Sequence, residues 1–325
     1  MSTSPELSVV IPAMNEEENV DAMHERLTAA LDGRVDGLEI VWVDDGSSDG
    51  TWARIAALAD RDPRVRGLSF SRNFGHQTAV TAGVDAARGR AVVIIDADLQ
   101  DPPEVIPEMI EAWRSGFEVV YGQRAQREGE TWFKKASAAA FYRTLRRLAG
   151  IEIPLDTGDF RLMGPKAVEA FRALPEHNRF VRGLVSWIGF PQTAVRFQRQ
   201  PRAKGETKYP LRTMLKLAMS GFTSFSFVPL RAATWLGAGL TAFAPLYLVL
   251  RGGLAIAGVA GFGSAGLVAF LSLLAGVQLV AIGALGEYVA RVFEEAAGRP
   301  LYLIDRWTDG ETRVLPPPRA SDEGE

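Results

Sequence analysis

Asp96-Ala97-Asp98-Leu99-Gln100 sets two carboxylates and an amide oxygen at i, i+2 and i+4, directly behind the apolar run Val92-Val93-Ile94-Ile95. The run reads as a buried strand. In an extended segment alternate side chains share one side, so Asp96, Asp98 and Gln100 are expected to converge. Hard oxygen ligands at a strand's carboxyl end suit Mg2+ or Mn2+. Mg2+ is commonly held by one or two carboxylates plus substrate phosphates, which implies a diphosphate-bearing substrate. Taken alone, the same residues also describe an Asp-rich turn closed by Pro102-Pro103. Two further polar clusters favour chemistry. Pro12-Ala13-Met14-Asn15-Glu16 ends a strand expected over Leu7 to Pro12, and Asp44-Asp45 follows one expected over Leu38 to Val43.

The elements that must position these residues alternate. Strands are expected at 7–12, 38–43, 65–69 and 92–95. Helices fall between them, from Asn15 to about Leu31, up to about Ala59, and over Ala79 to Ala87. The acidic run Glu16-Glu17-Glu18 suits a helix N-terminus. Such alternation argues an α/β, doubly wound, mostly parallel sheet. Ligands of these folds bind outside the carboxyl ends of the strands, where all three clusters lie. Beyond Tyr121 a polar loop over 122–131 carries Arg124 and Arg127. An Ala/Arg-rich helix is expected over 132–148, and a strand over 193–198.

The second half changes solvent. Leu211 to Phe227 mixes apolar residues with Ser, Thr, Arg212 and Lys216, and reads as an amphipathic helix at a membrane interface. Ala232 to Leu250 and Gly252 to Gly286 carry no charge. A span needs about 20 apolar residues, so two transmembrane helices are expected near 232–253 and 263–286. Arg231 and Arg291 flank the pair, with Arg299 and Arg306 beyond. By the positive-inside bias both termini and the first domain lie in the cytoplasm, although Arg251 in the short turn runs against that bias. Glu287 and Arg291 have i, i+4 spacing. The expected organisation is a domain over 1–210, interface helices over 211–230, two spans over 231–290, and a cytoplasmic segment over 291–325 with a disordered tail.

Composition removes several functions. The 325-residue chain has a net charge of -3, which excludes a strongly basic nucleic-acid binder. It has no cysteine, hence no disulfide, zinc-thiolate site or thiol nucleophile. Its three histidines, His24, His76 and His177, are scattered and fit no zinc motif. His76 reads as a loop or packing residue rather than a catalyst. The N-terminus lacks the layout of a signal peptide.

Val9-Val10-Ile11-Pro12-Ala13-Met14-Asn15-Glu16, Val43-Asp44-Asp45-Gly46-Ser47-Ser48-Asp49-Gly50-Thr51 and Asp96 to Pro103 resemble family 2 glycosyltransferases of the GT-A fold. Ser71-Arg72-Asn73-Phe74-Gly75-His76-Gln77 and the two spans narrow the resemblance to polyprenyl-phosphate glycosyltransferases. That group contains dolichol-phosphate mannose synthase and bacterial undecaprenyl-phosphate glucosyltransferases. The resemblance extends to about Leu303.

The resemblance implies a GT-A, Rossmann-like domain followed by the interface helix and two transmembrane helices. It implies inverting transfer of one sugar from a nucleotide sugar to undecaprenyl or another polyprenyl phosphate at the cytoplasmic face of the plasma membrane. UDP-glucose is the favoured donor, with GDP-mannose as the alternative. A non-catalytic nucleotide-sugar-binding scaffold stays open as a second class. By the same resemblance, Pro12, Ala13, Asn15, Glu16 and Asp44 hold the nucleoside. Asp96, Ala97, Asp98 and Gln100 form the diphosphate site, with Asp96, Asp98 and Gln100 on Mg2+ or Mn2+, and Arg124 lies near the donor. Asp45 is expected to cap the Gly46-Ser47-Ser48 turn instead. Asp98, Asp159, Arg202 and Lys208 are the expected catalytic residues, with Arg202 and Lys208 gripping the lipid phosphate. Asp159 either acts as a base or orients Arg161 or a sugar hydroxyl. The resemblance further implies a homo-oligomer, dimer or tetramer.

A phosphate monoester is already anionic, with a second pKa near 6, so it needs cations more than a base. Gln198-Arg199-Gln200 departs from the Q-x-x-R-W motif of processive relatives such as cellulose synthases, which argues against a polymerase. Ala13-Met14-Asn15-Glu16 is not the Gly-rich loop that a nucleotidyltransferase needs.

Overall fold

The computed structural model describes residues 4–125, 157–198, 264–309 and scattered positions between 234 and 258. Two sequences of strands build one eight-stranded sheet. The strands are β1 (Leu7–Ala13), β2 (Leu38–Asp44), β3 (Val65–Phe70), β4 (Ala91–Ile94), β5 (Val119–Arg124), β6 (Thr157–Met163), β7 (Gln192–Phe197) and β8 (Ile304–Trp307). Their order is β7-β5-β6-β4-β1-β2-β3-β8. β4, β1, β2 and β3 run parallel, as do β5 and β7. β6 lies antiparallel between β4 and β5, and β8 antiparallel along β3. Six of the eight strands therefore run the same way, the mostly parallel sheet that was expected, with β6 and β8 reversed.

All of β1 is buried, as a strand covered on both faces must be. Leu7, Val9 and Ile11 share a core with Met23 and Leu27 of α1 (Val20–Leu31), Ile55 and Leu58 of α2 (Thr51–Arg61), and Met109 and Ile110 of α4 (Ile106–Arg114). In α1 the buried residues are Val20, Met23, Leu27 and Leu31, which form one helical stripe. α3 (His76–Ala86) covers the opposite face. A Cβ added to Gly83 would lie 2.1 Å from Cγ1 of Val10, so only glycine allows this approach of helix to sheet. α5 (Pro165–Ala173) and α6 (Val181–Trp187) follow β6.

Several element boundaries differ from expectation. α1 starts at Val20 rather than Asn15, because Asn15 adopts a left-handed backbone with φ of +54°. β4 ends at Ile94, and Leu99 has φ of +59°. Asp96 to Gln100 therefore follows a turn, not the extended path that would align its alternate side chains. β5 extends through Arg124, where a loop was expected from Gly122.

The chain divides into two units, Met1–Leu217 with Pro300–Glu325, and Ala218–Arg299. In the second unit α7 (Ser264–Ala296) is 33 residues long. Its segment Leu273–Ala296, with mean hydropathy 1.7, is long and apolar enough to cross a membrane. Arg291 pairs with Glu287 at 3.5 Å on this helix. The helix runs ten residues beyond the expected end at Gly286. The expected helices over 132–148 and 211–227, and most of the expected first span, lie outside the described residues.

After α7 the chain returns to the first unit. β8 continues the sheet along β3, a return that composition did not disclose. Thr308 N–H donates to the Gly67 carbonyl at 3.0 Å, and Gly67 N–H donates to Thr308 Oγ1 at 2.9 Å. Arg66 pairs with Asp309 at 3.1 Å and lies over the Trp307 ring.

Candidate active site

The carboxyl edge of the sheet is laced together by short polar side chains. Asn15 N–H donates to Ser47 Oγ at 2.9 Å, and its Oδ1 accepts from Ser48 N–H at 2.9 Å. Glu16 N–H donates to Thr51 Oγ1, and its carboxylate accepts from the Asn19 amide at 2.6 Å. Pro12 and Ala13 are buried at the end of β1. The loop after β1 and the loop after β2 are thus one assembly, and the expected nucleoside residues Pro12, Ala13, Asn15 and Glu16 belong to it.

The structure reassigns the two aspartates after β2. Asp44 is fully buried; its carboxylate accepts from Ser47 N–H at 3.0 Å and from Ser69 Oγ at 2.7 Å. It holds the turn that was expected of Asp45. Asp45 instead accepts from Phe74 N–H at 2.7 Å, Gly75 N–H at 3.0 Å and the Asn73 amide at 3.1 Å. It anchors the loop entering α3. Burial raises its pKa, and the Phe74 and Gly75 N–H groups oppose that shift.

That loop delivers His76. Its Nε2 lies 3.1 Å from Asp159 and 3.6 Å from Asp96. Asp159, on β6, also accepts from the Gln77 amide at 3.1 Å and pairs with Arg182 at 3.2 Å. The Gln77 side-chain Oε1 in turn accepts from Val181 N–H at 2.8 Å. The start of α3, β6 and α6 therefore meet on one carboxylate. Burial opposes charge on both partners. Even so, Asp96 and Asp159 hold the His76 imidazolium up at about 9, and Arg182 and His76 hold Asp159 well below the usual carboxylate range. Arg161 donates to the carbonyls of Asp159 and Gly158; burial lowers its pKa to about 10, with Asp159 opposing. The Asp159 side chain thus engages His76, Gln77 and Arg182, and Arg161 is bonded to main chain.

Asp96 is partly exposed, whereas Asp98 and Ala97 are buried and Gln100 is half-buried. Asp98 Oδ1 accepts from Gln100 N–H at 3.2 Å, closing the turn. Arg124 reaches the same region from β5. A Cβ on Gly158 would lie 2.9 Å from the Arg124 guanidinium and 3.9 Å from the Asp101 carboxylate. Among the described residues, no group of three His, Cys, Asp or Glu side chains is placed to hold a metal. Two carboxylates on one turn nevertheless suffice for an ion whose other ligands are substrate phosphates and water. The donor set fits an ion shared with a diphosphate, not one caged by protein alone. Arg202 and Lys208 lie outside the described residues.

The family model for glycosyl transferase family 2 matches residues 8–172. The chain belongs to glycosyl transferase family 2. The matched segment runs from the second residue of β1 through β6 and contains every aspartate of the site described above. Relatives cover nearly the whole glycosyltransferase. An uncharacterized glycosyltransferase, YkcC, of Bacillus subtilis is 47% identical over 94% of this chain and 95% of its own length. A prophage bactoprenol glucosyl transferase homolog of Escherichia coli K12 is 39% identical over 92% and 98%. Among solved structures, glucosyl-3-phosphoglycerate synthase from Mycobacterium tuberculosis, in complex with Mn2+, UDP-glucose and phosphoglyceric acid, is similar over 66% of this chain and 76% of its own. Identity there is 20% and the TM-score 0.47, too distant to bear on this enzyme's donor or metal.

The structure brings His76, Gln77 and Arg182 to Asp159, where the sequence suggests for His76 only a loop or packing residue. His76 and Gln77 stand in the Ser71–Gln77 stretch, yet nothing in their spacing pairs them with Asp159. Arg182 carries no motif signal; only the packing of α6 against β6 brings it to the carboxylate.

Proposed function

We propose that this glycosyltransferase moves one glucose from UDP-glucose to the phosphate of a polyprenyl phosphate at the cytoplasmic membrane face, with inversion. The observation that carries the reading is the carboxylate turn after β4 beside the charged His76–Asp159–Arg182 cluster. Support for the acceptor comes from relatives named bactoprenol glucosyl transferases, which match over most of both chains.

In this reaction a phosphate oxygen of the acceptor bonds to the anomeric carbon as the bond to the donor diphosphate breaks. The acceptor is ionised at neutral pH, so no side chain need remove a proton. Asp159 fits that demand, since a carboxylate held ionised by Arg182 and His76 is a poor base. Its role is to fix the Arg182 guanidinium and the His76 ring at the reacting centre. Asp96, Asp98 and Gln100 would hold Mg2+ or Mn2+, which when bound supplies counter-charge to the departing diphosphate. Arg124 adds a positive charge beside that turn. Arg202 and Lys208 are proposed to hold the acceptor phosphate in line.

Two membrane spans are part of the reading. β3 and β8 pair in one sheet, so the chain on either side of the second unit lies on one side of any bilayer. If α7 crosses, the stretch between β7 and β8 must cross an even number of times. The uncharged stretch 232–250 is suited to the other crossing.

The test incubates purified protein with undecaprenyl phosphate and Mg2+, separately with UDP-glucose, GDP-mannose and UDP-N-acetylhexosamine. Mass spectrometry reads the lipid. A glucosylated lipid phosphate, formed from UDP-glucose and lost with EDTA, is expected. A mannosylated product would replace the donor assignment. Nucleotide binding with no product from any donor would return the protein to the scaffold class.

A further inference from the structure

The loop that carries His76 is anchored on two sides. Asp45 holds its Phe74 and Gly75 N–H groups from within the nucleoside assembly. The second anchor is the C-terminal strand. Ser71 N–H donates to the Leu303 carbonyl at 3.0 Å. The Tyr302 ring, 1% exposed, stacks on Phe70 with centroids 5.2 Å apart and planes 23° apart. Phe70 meets Phe74 edge to face at 5.5 Å. Tyr302 also donates its hydroxyl to Asp85, near the other end of α3, at 3.2 Å. The β3–β8 ladder shifts register between Ser69 and Phe70, where Ser69 faces Arg306 and Phe70 faces Ile304. A bulge at that point redirects the edge, just where β3 gives way to the His76 loop.

We infer that Tyr302 is a positioning residue for sugar transfer, setting His76 against Asp159 and Asp96 through the Phe70–Phe74 ring stack and the Leu303–Ser71 hydrogen bond. The inference rests on the glycosyl-transfer site assigned above. Tyr302 touches none of the reacting groups. It acts through the loop, and it lies six residues beyond the end of α7. The His76 loop is therefore held by chain that follows the apolar helix within a few residues.

The test compares Tyr302→Ala and Tyr302→Phe with Trp307→Ala in the full-length chain. Trp307 lies five residues further on, at the end of β8, paired with Leu68 rather than the loop. Misplacement of a site by about 1 Å can cost about 100-fold in rate. At matched loss of thermal stability, Y302A is expected to lower kcat by roughly 10- to 100-fold. Acceptor KM should change little, W307A should keep its kcat, and Y302F should recover it. Where Y302A does not fold, Tyr302→Leu keeps the site apolar and replaces it. Equal losses in Y302A and W307A, or none in Y302A, would overturn the inference. A second readout needs no turnover. With only three histidines in the chain, 13C-histidine labelling isolates the His76 ring signal at fixed pH. That signal should move in Y302A and stay in W307A. If the wild-type chain turns over no donor, the transfer reading fails while this signal still decides the placement of His76; an unmoved signal in Y302A refutes it.

Discussion

Asp98 and Asp159 are both buried aspartates in different surroundings. Asp98 Oδ1 accepts from Gln100 N–H within the turn after β4. Asp98→Ala is expected to lower turnover by about 100-fold or more. Retained turnover in the lipid-product assay would remove Asp98 from the diphosphate site. Asp159 faces Arg182 and His76. Asp159→Asn leaves those cations uncompensated and should cost about 3–5 kcal/mol, read by denaturant unfolding. The pH dependence follows from the depressed Asp159 pKa. The wild-type contribution is full above the ordinary carboxylate value near 3.9 and is lost as pH falls below it. Asparagine does not titrate, so the acid limb of stability against pH should be shallower in the variant. At this scale the sequence marked Asp96 and Asp98 as polar residues closing a buried strand, and the structure sets them on the turn after β4. His76 reads from sequence as a loop or packing residue, and its partners Asp96 and Asp159 lie about 20 and 80 positions away. A lone histidine shows no such pairing until β4, β6 and α3 are side by side.

The elements that carry these residues are held by their ends. α3 begins at His76, directly after Gly75, whose φ of +100° and ψ of 151° suit glycine alone. Gly75→Ala should cost about 1–3 kcal/mol in unfolding free energy. It should also disturb transfer, since the strained residue precedes His76. Asp45→Ala should cost about 0.5–2 kcal/mol by leaving the Phe74 and Gly75 N–H groups without their acceptor. Gly83→Ala tests packing, not the site, because its Cβ would meet Val10. About 1–3 kcal/mol of overpacking is expected there, with kcat retained in the fraction that folds. The parallel strands and their helices were readable because β-branched runs and apolar stripes recur at fixed periods. The turn after β4 was misread as extended, since a left-handed Leu99 leaves no mark in residue type. The antiparallel insertion of β6 was equally hidden, since pairing direction is decided by connections rather than by strand composition.

For the whole molecule, the deciding contact is between the two ends of the first unit. Because β8 lies on β3, an even number of crossings predicts one-sided labelling. The chain has no cysteine, so single introduced cysteines report without background. Cysteines at Arg34 and at Asp305, both in exposed positions, should react with an impermeant thiol reagent from the same side of sealed vesicles. A cysteine at Gly258, between the apolar stretches, should react only from the other. Opposite labelling of Arg34 and Asp305 would contradict the shared sheet. The same contact also sets an order of events during synthesis. Gly67 and Thr308 are hydrogen-bonded across 241 positions. At about 5–20 residues per second, the ribosome leaves β3 as an open edge for tens of seconds. Unpaired edges template aggregation, so the nascent chain has reason to be guarded throughout that interval. A chain stalled or cleaved before Pro300 would lack both the strand that covers this edge and the Tyr302 ring that covers Phe70.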